Sequence, residues 1–105
     1  MGEESRQYKR ADINIKALSP DISEEIKIVN LSTHGAFLVS KLILDIGEEF
    51  SLSFTLPDDQ DEIRVGGQVV WNRDKGDNPG MGIQFMGLSE VNFDKLLHYI
   101  EELYK

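Results

Sequence analysis

The alternation of apolar and polar residues from Phe50 to Leu56 is the feature that most constrains the fold. Apolar side chains occupy the even positions, and serine or threonine occupies the odd positions between them. Because successive side chains of an extended chain point to opposite faces, this pattern predicts a strand with one buried face. Five other short stretches bounded by turn-forming residues also predict strands: Asp12–Leu18, Glu24–Leu31, Ala36–Ser40, Glu62–Arg73 and Met81–Met86.

One amphipathic helix is predicted after the last strand, with Ser89 as its cap. Apolar residues then recur at steps of three and four positions: Phe93, Leu96, Leu97, Ile100, Leu103 and Tyr104. Within the fifth strand, the pair Gly66-Gly67 predicts a bulge or a sharp bend. Six strands followed by one helix indicate a mainly β fold, either a small antiparallel barrel or a strongly bent sheet that the helix covers.

The length of 105 residues fits a single domain. We expect an arm over residues 1–11 that is flexible unless something holds it, a barrel over 12–88 and the helix over 89–105. No stretch approaches the roughly 20 apolar residues that cross a bilayer, and the polar N-terminus lacks the apolar centre of a signal peptide. The sequence also lacks cysteine, so we expect a cytoplasmic protein without membrane insertion.

The formal net charge of −8 limits the class of partner. Nucleic-acid binding depends on many lysine and arginine contacts with phosphate, and anionic membranes attract basic surfaces. We therefore expect neither DNA nor RNA as a partner. A small anionic ligand remains compatible with this charge, because acidic groups beyond about 8 Å are largely screened at physiological salt.

Arg6 and Arg10 lie four residues apart on the N-terminal arm. A guanidinium group offers a planar fork of donors that fits phosphate oxygens or the edge of guanine. The two groups can converge on one ligand only if the arm bends, because four extended residues span about 13 Å. The alternative is that both side chains are simply solvated, as terminal basic residues usually are.

A polar stretch, Asn30–Gly35, separates the second and third predicted strands and indicates a hairpin turn. Asn30 and Ser32 place an amide and a hydroxyl two residues apart, and hence on one face of an extended chain. Gly35 provides either a positive φ angle or room for another group to approach the backbone. The stretch is therefore either a small binding platform or a polar turn that ends in glycine.

Trp71 is the single tryptophan, near the end of the fifth strand. It either belongs to the core or presents its ring to a base at the rim, where stacking contributes about 1–3 kcal/mol per base. Arg73 projects to the same side of the strand and can add a cation there.

Catalytic and metal-binding arrangements receive little support. Ser32 and His34 lack the orienting acid and the oxyanion site that a nucleophile and base require. His34 and His98 are far apart, and no ligand cluster accompanies either histidine. The acidic stretch 58–62 lacks the glycine and the spacing of an EF-hand loop. We therefore expect no enzymatic activity, no metal and no cofactor.

Taken in order, these motifs resemble those of the PilZ domain family. Arg6-Gln7-Tyr8-Lys9-Arg10 matches the R-x-x-x-R motif of the family. Asn30-Leu31-Ser32-Thr33-His34-Gly35 matches its [D/N]-x-S-x-x-G motif. Val69-Val70-Trp71 and Gly80–Phe85 resemble its late strand pair. The order and spacing of these motifs make the resemblance specific, and it covers essentially the whole chain.

The resemblance implies a six-stranded antiparallel, Greek-key-like β-barrel with a C-terminal α-helix. It also implies a receptor for the bacterial second messenger cyclic di-GMP that acts through a downstream protein partner. Arg6 and Arg10 would grip phosphates and guanine edges, and Asn30, Ser32 and Gly35 would form the platform for a guanine. Trp71 matches a position that can stack near the ligand. Asn30 stands where Asp is also common in the family, which exchanges one acceptor for a donor and predicts lower affinity.

Two other functions compete with this one. An adaptor of the same fold can bind only proteins, through the acidic surface or the helix, although the retained motifs weigh against this alternative. A small barrel can also bind single-stranded nucleic acid, but the negative charge disfavours that activity.

Overall fold

A computed structural model describes residues 10–57 and 61–103. Within these residues, six strands and one helix follow one another in chain order: β1 (Ala11–Ser19), β2 (Ile22–Leu31), β3 (Gly35–Ser40), β4 (Glu49–Thr55), β5 (Glu62–Arg73), β6 (Gly80–Met86) and α1 (Glu90–Leu103). All six predicted strands and the helix are confirmed. β1 begins at Ala11, which is buried, so the strand starts at the last residue of the expected arm and one residue before the predicted strand.

The strands form a closed antiparallel barrel in the order β1-β2-β3-β6-β5-β4. β3 pairs with β6 rather than with β4, so the sequence of strands around the barrel differs from that along the chain. Closure between β1 and β4 involves two residue pairs, Ala17 with Phe54 and Leu18 with Ser53. The barrel expected from the resemblance is therefore confirmed, and its seam is short.

The core lies inside the barrel because every strand alternates inward and outward side chains. Leu52, Phe54 and Leu56 are almost fully buried, as the alternation from Phe50 to Leu56 predicts. Isoleucines, valines and leucines from the other strands complete the interior. Packing of this kind is the main source of stability in a small domain.

Helix α1 begins after Ser89, whose Oγ accepts the amide of Asn92 at 3.1 Å, so the predicted cap is confirmed. Leu96 and Ile100 are buried in the core, together with Tyr99. Leu97 and Leu103 are more exposed, at 37% and 49%, so the buried stripe is narrower than the sequence pattern predicts. Tyr104, which completes the predicted stripe, lies outside the described residues.

Of the bulge or sharp bend predicted at Gly66-Gly67, the bulge is wrong. β5 passes these residues without a register shift toward β4 or β6. A side chain on Gly66 would meet the Met86 carbonyl oxygen at 3.1 Å, and one on Gly67 would meet the Phe50 ring at 3.3 Å. The glycines therefore relieve crowding. The register shift in β5 instead lies between Val69 and Trp71.

Candidate functional site

A lateral row of paired residues crosses five strands on the outer face of the barrel. We call it the outer row, and its members are Asp12 on β1, Asn30 on β2, Phe37 on β3, Gly82 on β6 and Trp71 on β5. Residues directly opposite one another in antiparallel strands share a face of the sheet. The adjacent row faces inward, and its members are all buried: Ala11, Leu31, Ala36, Ile83 and Val69.

Register shifts flank Asn30 on both sides. β1 has one extra residue between Asp12 and Ile15, and β2 has one extra residue, Val29, relative to β3. Bulges of this kind re-aim the side chains beside them. They bring Asn30 into line with both Asp12 and Phe37, which a uniform register from the ends of the strands would not do.

Asn30 is held by a hydrogen bond across the β1–β2 ladder. Its Nδ2 donates to Oδ1 of Asp12 at 3.1 Å. An ionised carboxylate has only acceptors, so the amide must turn its nitrogen toward Asp12. Asn30 Oδ1 has no hydrogen-bond partner among the residues that the structure describes. This atom is therefore the acceptor that Asn30 can offer to another molecule.

Ser32 organises the turn between β2 and β3. Its Oγ accepts the amides of His34 and Gly35, each at 3.1 Å, and its own amide donates to the Gly35 carbonyl at 2.9 Å. Only 8% of the residue is exposed. The main contacts of the Ser32 hydroxyl, which was predicted to lie beside Asn30, are therefore with the backbone of the turn.

Gly35 is required for a close approach and not for a positive φ angle. Positive φ occurs at Gly47, Gly76 and Gly87 among the described residues. A Cβ atom on Gly35 would collide with the carbonyl oxygen of Ile83 on β6. Of the two roles considered for this glycine, the structure supports room for an approaching group, and that group belongs to the neighbouring strand.

An aromatic stack continues the row over β6. The rings of Phe37 and Trp71 lie 5.0 Å apart at an angle of 15°. They meet across Gly82, where a Cβ atom would collide with the Trp71 indole. The guanidinium of Arg73 lies 5.3 Å from the Phe37 ring centre, while its Nε donates to the Asn78 carbonyl at 3.2 Å. Trp71 is 46% exposed, so it belongs to the rim and not to the core.

These features border an open groove of about 180 Å³ beside the β2–β3 turn. The lining residues, which define the groove, are Arg10, Asn30, Ser32, His34, Gly35, Ala36, Phe37, Val70, Trp71, Gly82, Ile83 and Gln84. Five of the residues singled out in the sequence therefore meet at one place: Arg10, Asn30, Ser32, Gly35 and Trp71. Arg73 contacts Phe37 from outside the lining, and Arg6 lies outside the described residues.

Phe37 and His34 are groove residues that sequence reasoning missed. Phe37 lies between buried Ala36 and Leu38, so its outward position was deducible from the alternation in β3. His34 contacts Thr33 Oγ1 through Nδ1 at 2.9 Å, and its ring meets Phe93 of α1 edge-on at 6.2 Å. The groove is therefore in contact with the helix through His34.

The groove offers donors, an acceptor on Asn30 and an aromatic face. Arg10 supplies a cation, Asn30 an acceptor and Trp71 a ring for stacking. Within residues 10–57 and 61–103, no three histidine or acidic side chains are grouped as a metal site. No helix in the same residues has the length and apolarity needed to cross a membrane.

Comparisons with known proteins agree with this geometry. A model of the PilZ domain matches residues 4–102. The inhibitor of motility MotI/DgrA from Bacillus subtilis is 24% identical, with a TM-score of 0.78 over 95% of this chain and 52% of that chain. YcgR from Escherichia coli, solved in complex with c-di-GMP, is 17% identical, with a TM-score of 0.78 over 94% of this chain and 46% of that chain.

The PilZ domain of YcgR with c-di-GMP is 16% identical, with a TM-score of 0.74 over 94% of this chain and 91% of that domain. The chain spans about half the length of MotI/DgrA and of the longer YcgR chain. No curated protein matches the sequence. At these identities the solved structures show a shared fold, while the family model covers nearly the whole chain. The chain therefore belongs to the PilZ domain family.

Proposed function

We propose that the groove binds cyclic di-GMP and that the domain is a receptor for this ligand. The observation that carries the proposal is convergence: Arg10, the Asn30–Gly35 turn and Trp71 are far apart in sequence and line one groove. The presence of c-di-GMP in the solved YcgR structures supports the same ligand.

Each group of the groove suits a part of this ligand. The Arg10 guanidinium can bind phosphate oxygens through two parallel hydrogen bonds. Asn30 Oδ1 can accept from the Watson–Crick edge of a guanine, where N1–H and N2–H are donors. Phe37 supports Trp71 from one side, and a base can stack on the exposed part of the indole. The groove thus provides for a phosphate and one guanine, which is half of the ligand.

We infer that the other half is held by Arg6. In this mechanism the ligand draws residues 1–9 toward the groove, because it binds the docked arm better than the free arm. The docked arm changes a surface beside β1 and β2 that a partner protein recognises. Ordering of a segment by a ligand is a common form of switch. The groups of the groove bind and orient the ligand, and the proposal includes no catalytic step.

Removal of either guanidinium tests the proposal. Arg10→Ala and Arg6→Ala should each weaken cyclic di-GMP binding by about 1.5–3 kcal/mol, the usual contribution of a charge-assisted contact. Isothermal titration calorimetry measures this loss, and the fluorescence of Trp71 reports occupancy of the groove. Lys16→Ala is the matched control, because Lys16 is an exposed cation on β1 that pairs with Glu25 at 3.9 Å.

The control variant and the two arginine variants should differ in their affinity for cyclic di-GMP. Lys16→Ala should bind within about twofold of the unchanged protein, since exposed pairs of this kind contribute little. Equal affinity for Arg6→Ala, Arg10→Ala and the unchanged protein would contradict the proposed contacts of the two arginines with the ligand. Absence of binding by the unchanged protein would favour the adaptor that recognises only proteins.

A further inference from the structure

The pair formed by Asp12 and Asn30 has a role that the motifs of the sequence do not indicate. The two residues are directly opposite in the β1–β2 ladder and are joined by the 3.1 Å bond from Asn30 Nδ2 to Asp12 Oδ1. The bond engages the amide nitrogen of Asn30, which lines the groove, and leaves Oδ1 without a partner among the described residues. Chemistry enforces this orientation, because a carboxylate cannot donate to Oδ1.

We propose that Asp12 is a positioning residue that makes Asn30 act as a hydrogen-bond acceptor and thereby selects guanine over adenine. The inference rests on the proposed function of the groove. Guanine presents two donors on its Watson–Crick edge, whereas adenine presents an acceptor at N1 and a donor at N6. A free amide can rotate to suit either base. An amide held by Asp12 keeps Oδ1 as the acceptor, which can accept from both N1–H and N2–H of guanine, whereas adenine offers it one donor at N6 and a repulsive lone pair at N1.

The charge of Asp12 supports a role in positioning. A carboxylate near a groove that binds phosphates repels the ligand, and this repulsion is not screened at short range. Arg10 lies two residues earlier and lines the groove, but no hydrogen bond or ion pair joins it to Asp12 among the described residues. An acid at position 12 is therefore unfavourable for ligand binding unless it contributes through Asn30.

The resemblance implies tighter binding with Asp at position 30, but Asp12 lies directly opposite in this chain and reverses that expectation, so the pair should contain one acid and one amide. Asn30→Asp would place two carboxylates within hydrogen-bonding distance, where one must take up a proton or turn away. The double variant Asp12→Asn with Asn30→Asp restores one acid and one amide in exchanged positions. Its net charge equals that of the unchanged protein, so it serves as its own control for charge.

Titrations with cyclic di-GMP and cyclic di-AMP on the full chain test the inference. The decisive quantity is the ratio of the two affinities, because both ligands carry the same phosphates and share any change in repulsion. Asp12→Asn should lower the preference for guanine by about three- to tenfold, since an amide at position 12 can face Asn30 in either orientation. Glu24→Gln removes one charge from the opposite end of β2 and should leave the ratio unchanged.

The double variant Asp12→Asn with Asn30→Asp tests whether the two side chains act as a pair. Asn30→Asp should weaken cyclic di-GMP binding by about tenfold, and adding Asp12→Asn should restore it to within about threefold. Binding by Asn30→Asp that equals or exceeds that of the unchanged protein would overturn the inference, and so would a double variant no tighter than Asn30→Asp. If the unchanged protein does not bind cyclic di-GMP, the proposed function fails. If it binds but the ratio is the same in all variants, only the role of Asp12 fails.

Discussion

Two hairpin ends of this barrel are polar and contain glycine, yet they are built differently. In the β2–β3 turn, Ser32 Oγ accepts two backbone amides, and the His34 carbonyl accepts the amide of Phe85 at 2.8 Å. In the β5–β6 connection, residues 74–78 are exposed, and the backbone contacts lie at its base, where the Ser40 amide donates to the Pro79 carbonyl at 3.2 Å.

The glycines show the same contrast. Gly35 does not have a positive φ angle and has no space for a side chain, since the Ile83 carbonyl oxygen would collide with a Cβ atom. Gly76 has a φ of 94°, and no atom lies within 4 Å of the place that a Cβ atom would take. Packing against β6 requires a glycine at position 35, whereas the local backbone conformation favours a glycine at position 76. The contrast teaches that polar composition alone does not separate a rigid platform from a solvated loop.

Gly35→Ala should have the largest effect on this comparison. The added methyl group must push β3 away from β6, and overpacking against backbone costs about 2–3 kcal/mol of unfolding free energy. Urea denaturation measures this loss. Ligand titration at a temperature where the variant stays folded should also show weaker binding, because the turn borders the groove. A loss of stability below about 1 kcal/mol would contradict the assigned role of Gly35.

Ser32→Ala should have an intermediate effect. It deprives the amides of His34 and Gly35 of their acceptor, which costs about 1–2 kcal/mol when the groups are partly buried. Ser19→Ala is the matched control, since Ser19 Oγ accepts the exposed amide of Asp21 at 3.1 Å. Denaturation of the two variants should rank Ser32 well above Ser19. Equal losses would mean that the β2–β3 turn is no more organised than the β1–β2 turn.

Gly76→Ala should have the smallest effect and only on stability. A non-glycine residue in the left-handed region costs about 1 kcal/mol, and no atom opposes the new methyl group. Gly76→Asn should lose less, because asparagine tolerates this conformation. Ligand affinity should not change in either variant. A large loss of affinity in the titration would show that the β5–β6 loop takes part in binding and would remove the contrast.

The strands of this barrel could be predicted from local patterns because burial imposes a period of two. The alternation in β4 and the turn formers around the other stretches located all six strands. The cap at Ser89 was equally local. These features depend on residues within a few positions of one another, so the sequence displays them directly.

The details of the groove could not be predicted in the same way. The shifts at Val29 and Val70 arise from fitting six strands into a closed barrel, and neither residue has a glycine or proline beside it to mark the shift. At Gly66 and Gly67 a bulge was predicted where the register has no shift, because these glycines instead relieve contacts with other strands. Pairing of Asp12 with Asn30 depends on the same register, over a separation of 18 residues.

The short seam between β1 and β4 has a consequence for local opening of the barrel. β1 pairs with β2 over most of its length but with β4 at only two positions, so local opening should begin there and expose the amides of β1 to hydrogen exchange. Asp12 lies on β1, and Arg10 immediately precedes this strand. The two seam pairs lie at Ala17 and Leu18, toward the other end of β1 from Asp12. Local opening at the seam therefore leaves the bond between Asp12 and Asn30 in place, and β1 can separate from β4 without disturbing the groove.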